Sequence, residues 1–275
     1  MGERPCQRRL QNLERETLRV LKIALCTPAH RQVEAKWAQC LASMIAHTSK
    51  ARIELDGDPV EIEFEMFIVS SSLLPESRNR LVVEAINWEA DYMLWMDADH
   101  VFPNDALLKL LGRSKLVVGT NYARRFNPTS PTASKFSTDD MMDLVWTTKE
   151  KAEAGEVEEI AHLGCGFCLV DMRCYAILEQ HATNEGKPHF WPLFEIPSKP
   201  DGIGCIGEDV RYFKALRDAG IKIFLDHEVS WDIGHVSEQI LTNAHTIVHK
   251  SRYEDWTKRS KDKFKKTALA AEEAA

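Results

Sequence analysis

Asp91-Tyr92-Met93-Leu94-Trp95-Met96-Asp97-Ala98-Asp99 is the stretch that decides how this 275-residue chain is read. Leu94 to Met96 is a short apolar run of the kind that forms a buried strand. Two carboxylates, one residue apart, follow where that strand should end. In open α/β sheets, ligands gather at that edge. A bare Asp-x-Asp is ordinarily an exposed turn. The apolar strand before it and Val101-Phe102-Pro103 after it turn the reading toward a site. Two carboxylates held together repel unless a cation neutralises them. Oxygen donors of this kind suit Mg²⁺ or Mn²⁺, which can also grip a diphosphate.

Outward from this stretch, strands and helices alternate. Leu21 to Cys26 reads as a first strand stopped by Thr27-Pro28, and Val33 to Ala46 has helical spacing. Glu61 to Val69 alternates as a strand. Glu76 to Trp88 is helical, with Leu81, Val82, Ala85 and Ile86 on one face. Pro103-Asn104-Asp105 opens a helix, and Lys115 to Gly119 is the next strand. Arg124 to Glu159 is polar and reads as an excursion over the site rather than core. Beyond it come an apolar, Gly-rich segment from His162 to Asp171, a helix over Met172 to Gln180, a helix over Glu208 to Ala219 capped by Gly220, and a strand over Ile221 to Leu225. The pattern predicts a mainly parallel sheet with helices on both faces.

The bulk numbers narrow the classes. A hydrophobic fraction of 44% with 28% charged residues is that of an ordinary globular chain. A net charge of -7 argues against generic polyanion binding by the whole surface. No apolar stretch is long enough to span a bilayer, and Met1-Gly2-Glu3-Arg4-Pro5 resembles neither a signal peptide nor a myristoylation site. Seven cysteines, with Cys165 and Cys168 lacking a second ligand pair at short spacing, read as buried free thiols in a cytoplasmic protein.

Several ordered motifs together resemble a glycosyltransferase of the GT-A fold, close to small bacterial and phage enzymes of family 2 type. They are Thr27-Pro28, Ser77-Arg78-Asn79-Arg80, Leu94-Trp95-Met96-Asp97-Ala98-Asp99, Gly164-Cys165-Gly166-Phe167, Gly207-Glu208-Asp209 and Gly234-His235. The resemblance implies a Rossmann-like α/β domain over 21–237, between an N-terminal arm at 1–20 and a helical, basic tail at 238–275. It further implies a nucleotide-sugar donor, most commonly UDP-linked, and Mn²⁺ or Mg²⁺. By position, Asp97, Asp99 and His235 would hold the metal. Thr27, Pro28, Arg78, Asn79 and Asp97 would hold the nucleotide, with Gly164 and Gly166 forming a wall beside the donor sugar. Asp209 would be the base of an inverting reaction, with Glu208 positioning the acceptor. Trp191 and Phe194 would shape the acceptor side.

Other readings stand beside these. His235 is equally a structural histidine, Glu208 and Asp209 complement a helix dipole, and Trp191 and Phe194 suit a hydrophobic cluster. A nucleotidyltransferase is the rival enzyme, although Thr27-Pro28-Ala29-His30-Arg31 lacks the glycines of a phosphate loop. A sugar-nucleotide-binding protein without catalysis is the other rival. The acceptor stays open between saccharide, lipid and a hydroxymethylated DNA base. Lys258, Arg259, Lys261, Lys263, Lys265 and Lys266 give the tail a means of meeting a polyanion.

Overall fold

The computed structural model describes residues 19–55, 57–135, 143–199, 204–237 and 240–272. In chain order the elements are β1 (Arg19–Ala29), α1 (Ala35–Thr48), β2 (Ile53–Leu55), β3 (Asp58–Ser70), α2 (Leu74–Asn87), β4 (Tyr92–Met96), β5 (His100–Val101), α3 (Ala106–Gly112), β6 (Val117–Gly119), β7 (Ser134–Lys135), β8 (Asp143–Leu144), α4 (Lys149–Glu153), β9 (Val157–Ile160), β10 (Phe167–Asp171), α5 (Arg173–Asn184), α6 (Glu208–Asp218), β11 (Ile223–Asp226), α7 (His227–Asp232), β12 (Gly234–Val236), β13 (Ile240–Thr242) and α8 (Asn243–Glu272). The expected N-terminal arm lies outside the described residues except for Arg19 and Val20, which begin β1.

Eight strands form the central sheet in the order β2-β3-β1-β4-β10-β6-β11-β9. β3, β1, β4, β6 and β11 run one way, and β2, β10 and β9 run against them. This is the single, mainly parallel α/β domain that the alternation of elements predicts.

The period of two along each strand divides the core between the sheet's faces. Ala24, Cys26, Met93, Trp95, Cys168 and Val170 pack on one face against Leu81, Val82 and Ala85 of α2, Cys174, Tyr175 and Leu178 of α5, and Tyr212, Phe213 and Leu216 of α6. Ile23, Leu25, Leu94, Met96, Phe167 and Leu169 pack on the other against Trp37 and Met44 of α1 and Ala106, Leu107 and Leu110 of α3. Ile86, expected on the buried face of α2, is 40% exposed.

Two expectations change. Thr27-Pro28 does not stop β1, which runs on to Ala29 and pairs Pro28 with Val69. β4 pairs with β1 only from Ile23 to Cys26, so beyond Cys26 β1 has one neighbour. A proline without an N–H is tolerated on such a stretch. The segment from Arg124 to Glu159 is also more than an excursion. Thr129, Ser130, Thr132, Ala133 and Ser134 are buried, and β9 is an edge strand of the central sheet. The organiser is Asn121, fully buried. Its side-chain Oδ1 accepts from the backbone N–H of Thr132 and Ala133, both at 3.0 Å, while its Nδ2 donates to the Val145 carbonyl at 2.7 Å. Asn243, at the start of α8, donates to the carbonyls of Asn121 and Ser230, which ties α8 to the same point.

Candidate functional site

β4 ends at Met96, and its carboxylates stand at the edge where the parallel strands finish. The backbone there is fixed on every side. Asp97 N–H donates to the Gly166 carbonyl, Glu34 N–H to the Ala98 carbonyl, and Val236 N–H to the Asp99 carbonyl. A second, three-stranded sheet, β13-β12-β5, sits over this edge and registers His235 directly opposite His100.

The two histidines stack, ring centroids 4.5 Å apart and 14° from parallel. His235 Nδ1 lies 3.0 Å from the Ala123 carbonyl, which can only accept, so Nδ1 carries the proton. Nε2 then faces Asp99 Oδ1 at 3.5 Å. His100 Nδ1 lies 3.4 Å from the same oxygen, and neither ring nitrogen of this fully buried histidine has a hydrogen-bond partner. Burial alone would raise the Asp99 carboxyl. Where the two imidazoles are protonated toward it, their donation and charge outweigh burial and hold the group well below the usual carboxylate range. One donor atom from each of Asp99, His100 and His235 lies within 4.8 Å of the others.

This set fits a divalent cation. It combines carboxylate and imidazole donors, contains orphaned buried nitrogens, and has one imidazole oriented by a carbonyl on its far side, as metal-bound histidines are. His100 was not among the residues expected to hold a metal. The sequence signal was its place directly after Asp99, but only the pairing of β5 with β12 brings it to His235.

Asp97 is not part of this cluster and is paired elsewhere. Its Oδ1 accepts from Arg78 Nη2 at 3.0 Å, and Arg78 Nε lies 3.6 Å from Glu208 Oε1. Arg78, expected to grip the nucleotide, is 2% exposed, lying over the rings of Trp95 and Phe194. It acts as an internal bridge between the end of β4 and the start of α6. Asn79 is likewise committed inward: Oδ1 accepts from Leu193 and Phe194 N–H, and Nδ2 donates to the Phe194 carbonyl. Thr27 and Pro28 are buried at the end of β1, with Thr27 Oγ1 unpartnered.

Gly164 and Gly166 make room for protein. A Cβ on Gly166 would lie 2.6 Å from His100 Cε1 and 2.7 Å from Tyr122 Cζ, and one on Gly164 would overlap Tyr122 Oη. The close approach they permit is therefore that of Tyr122 and His100. Tyr122 Oη in turn accepts from Gly166 N–H at 3.1 Å.

Glu208 and Asp209 open α6. Burial, then the neighbouring Glu208 charge, pushes Asp209 up to about 6, against the pull of Arg78 and Arg124. Its Oδ1 accepts from Val210 N–H at 2.7 Å.

The expected acceptor residues separate. Phe194, 1% exposed, is stacked on Tyr212 and set edge-on to Trp95, so it is a core residue and offers no face to an acceptor. Trp191 lines a cavity of about 550 Å³ beside α5 and α6, together with Arg211 and Asp218. Exposed aromatic surface lies elsewhere. Phe126 and Trp256, 41% and 50% exposed, meet Tyr253 and Trp146 where α8 crosses the Arg124–Phe126 segment. Sequence reading missed this patch because its two halves, Phe126 with Trp146 and Tyr253 with Trp256, are separated by more than 100 residues. Lys258 and Arg259 of the basic run are exposed on α8; the side chains from Lys261 onward lie outside the described ones.

Cys165 and Cys168 are buried, and burial raises both thiols, which makes neither a ready thiolate. Among the described residues no helix is long and apolar enough to cross a membrane.

No family model and no curated protein matches this sequence. Among solved structures, the chain is similar to A197 from STIV at 12% identity and a TM-score of 0.50, over 82% of this chain and 91% of that one. It also matches the catalytic domain of Drosophila beta1,4galactosyltransferase 7 in complex with xylobiose at 16% identity and a TM-score of 0.39, over 75% of this chain and 65% of that one. The first likeness is one of fold; the second is too loose to add to it.

Proposed function

We propose that this protein is a metal-dependent glycosyltransferase that moves a sugar from a nucleotide-sugar donor to a hydroxyl acceptor. The observation that carries the reading is the convergence of Asp99, His100 and His235 at the same sheet edge as the Glu208–Asp209 pair. Asp99, His100 and His235 would hold Mn²⁺ or Mg²⁺. A cation held there would supply positive charge to offset that of the donor's diphosphate and of the departing nucleoside diphosphate.

The remaining work belongs to side chains of the chain. Asp209, with a pKa of about 6, is poised to be ionised at neutral pH and still basic enough to take a proton from the acceptor hydroxyl. Arg78 fixes Glu208 and Asp97 relative to each other from inside the protein, which keeps the base and the cation-binding edge in register. This favours an inverting reaction, in which the acceptor oxygen attacks as Asp209 removes its proton.

A thermal-shift screen of sugar nucleotides tests the reading. UDP-sugars should raise Tm in the presence of Mn²⁺ and leave it unchanged in EDTA. A set of UDP-, GDP-, CMP- and dTDP-sugars that produces no Mn²⁺-dependent shift contradicts it.

We place the acceptor at the aromatic patch rather than at Phe194. Arg124 is close enough to Asp209 to act on its pKa, Arg125 contacts Asp99, and Phe126 joins the patch, so the patch adjoins both reacting ends. Trp256→Ala should raise the acceptor KM about 3- to 10-fold, the worth of one lost ring contact, and leave donor hydrolysis unchanged. Steady-state kinetics with varied acceptor checks this, and an unchanged KM removes the patch from the acceptor side.

A further inference from the structure

Asp99 has a partner that the cation-binding cluster does not explain. Its Oδ1 faces the two histidines, but its Oδ2 forms an ion pair with Arg125 Nη1 at 2.8 Å. Arg125 is half-exposed, so this guanidinium reaches the carboxylate from the solvent side. Its backbone is fixed. Arg124 N–H donates to the Ser130 carbonyl at 2.9 Å, Thr129 Oγ1 donates to the Arg124 carbonyl at 2.6 Å, and Ala123, bridged to Pro131, accepts from His235. A long side chain on a pinned loop can swing without any rearrangement of the fold.

We infer that Arg125 is a built-in stand-in for the cation: it neutralises Asp99 while the site is empty of metal, gives up the carboxylate to the incoming ion, and turns its freed guanidinium to the donor's diphosphate. The inference rests on the metal-dependent reading above. Its ground is charge. A guanidinium and a divalent ion on one carboxylate repel each other at contact distance, so occupancy by one weakens the other. Displaced, Arg125 still stands at the mouth of the site. Its planar fork of donors matches two phosphate oxygens, whereas most of the site's other side chains are acidic or neutral. Arg78 cannot take this part, because it is buried and already bound to Asp97. Arg125 would thus set the order of binding: cation affinity is held down until a diphosphate arrives to receive the guanidinium.

The test is Mn²⁺ binding by electron paramagnetic resonance, without donor, on wild type, Arg125→Gln and Asp99→Asn. An exposed side chain on a loop held by backbone contacts makes Arg125→Gln safe for folding, which Tm confirms. Loss of the competing charge should tighten Mn²⁺ about 2- to 5-fold in Arg125→Gln, the range that a partly exposed ion pair can supply. Asp99→Asn should lose Mn²⁺ altogether. With Mn²⁺ saturating, UDP should bind Arg125→Gln more weakly than wild type by a similar factor, read by calorimetry. Equal Mn²⁺ affinity in wild type and Arg125→Gln overturns the role of Arg125 and leaves the metal site standing. Absence of Mn²⁺ binding in both overturns the metal reading and this inference with it. Tighter Mn²⁺ with unaltered UDP affinity overturns the transfer of Arg125 to the diphosphate.

Discussion

Asp99→Asn should remove Mn²⁺ binding and cut the proposed transfer by at least ~10²-fold, about 2.7 kcal/mol of transition-state stabilisation. The expectation follows from the number of contacts that pass through one carboxylate. Among the described residues Asp99 is the one carboxylate in the cluster with His100 and His235, and Asp97, its sequence partner, is paired with Arg78. An amide keeps the shape and offers a weaker oxygen, so the two imidazoles remain but the negative charge is gone. Little should happen to the fold: the group is about a quarter exposed, and its ion pair with Arg125 is of the kind worth under about 1 kcal/mol. Asp97→Asn is the informative companion. It breaks a buried pair with Arg78, so it should lower Tm while leaving Mn²⁺ affinity closer to wild type. Full transfer by Asp99→Asn, or full activity of wild type in EDTA, contradicts the proposed mechanism.

Asp209→Asn should abolish transfer and retain Mn²⁺ and donor binding, since proton removal is separate from diphosphate recognition. The same residue has a stability signature. Burial and the Glu208 charge raise its pKa to about 6, above the roughly 3.9 of an exposed aspartate. The folded state therefore holds that proton more tightly than the unfolded one. The stability this contributes is fully present below about pH 4 and is lost as pH rises through about 6. Asp209→Asn escapes this loss, so at pH 7.5 it should be the more stable protein, by on the order of 1–3 kcal/mol, with the gap closing by pH 4. Wild-type turnover should rise with pH through about 6 and level about one unit above it. A pH series of thermal melts on both proteins, with a turnover profile on wild type, reads all three. A variant that transfers normally, or a product of retained anomeric configuration, removes Asp209 from the role of base.

The two substitutions separate the halves of the site. Asp99 follows β4 and Asp209 stands on α6, over 100 residues apart in sequence, and Arg78 on α2 links their neighbours Asp97 and Glu208. Its guanidinium retains two nitrogens without hydrogen-bond partners in a buried position. Such a group tolerates little change around it, because an unpartnered buried donor already costs free energy. This explains why α2 begins where it does: Leu74 and Pro75 start the helix just early enough to set Arg78 beneath the end of β4.

What the sequence determined by itself is local. Apolar runs placed β1 and β4, alternation placed β3, helical spacing placed α1 and α2, start and cap signals placed α3 and α6, and the run before Asp97 marked the edge where ligands collect. These readings depend only on neighbours a few positions away, so one chain suffices to see them. What only the tertiary structure decided is direction and company. Nothing local says that Arg78 and Asn79 point inward, that Phe194 is roofed by Tyr212, or that Gly164 and Gly166 admit Tyr122 and His100. Nor does composition reveal that the polar stretch after Arg124 is drawn into the core, since its backbone groups are satisfied by Asn121. His100 and the Phe126–Trp256 patch are placed by pairings across more than 100 residues, and Arg125 meets Asp99 across 26. Side-chain direction at such positions is fixed by which distant strand or helix closes over them, and that information resides in the packed chain.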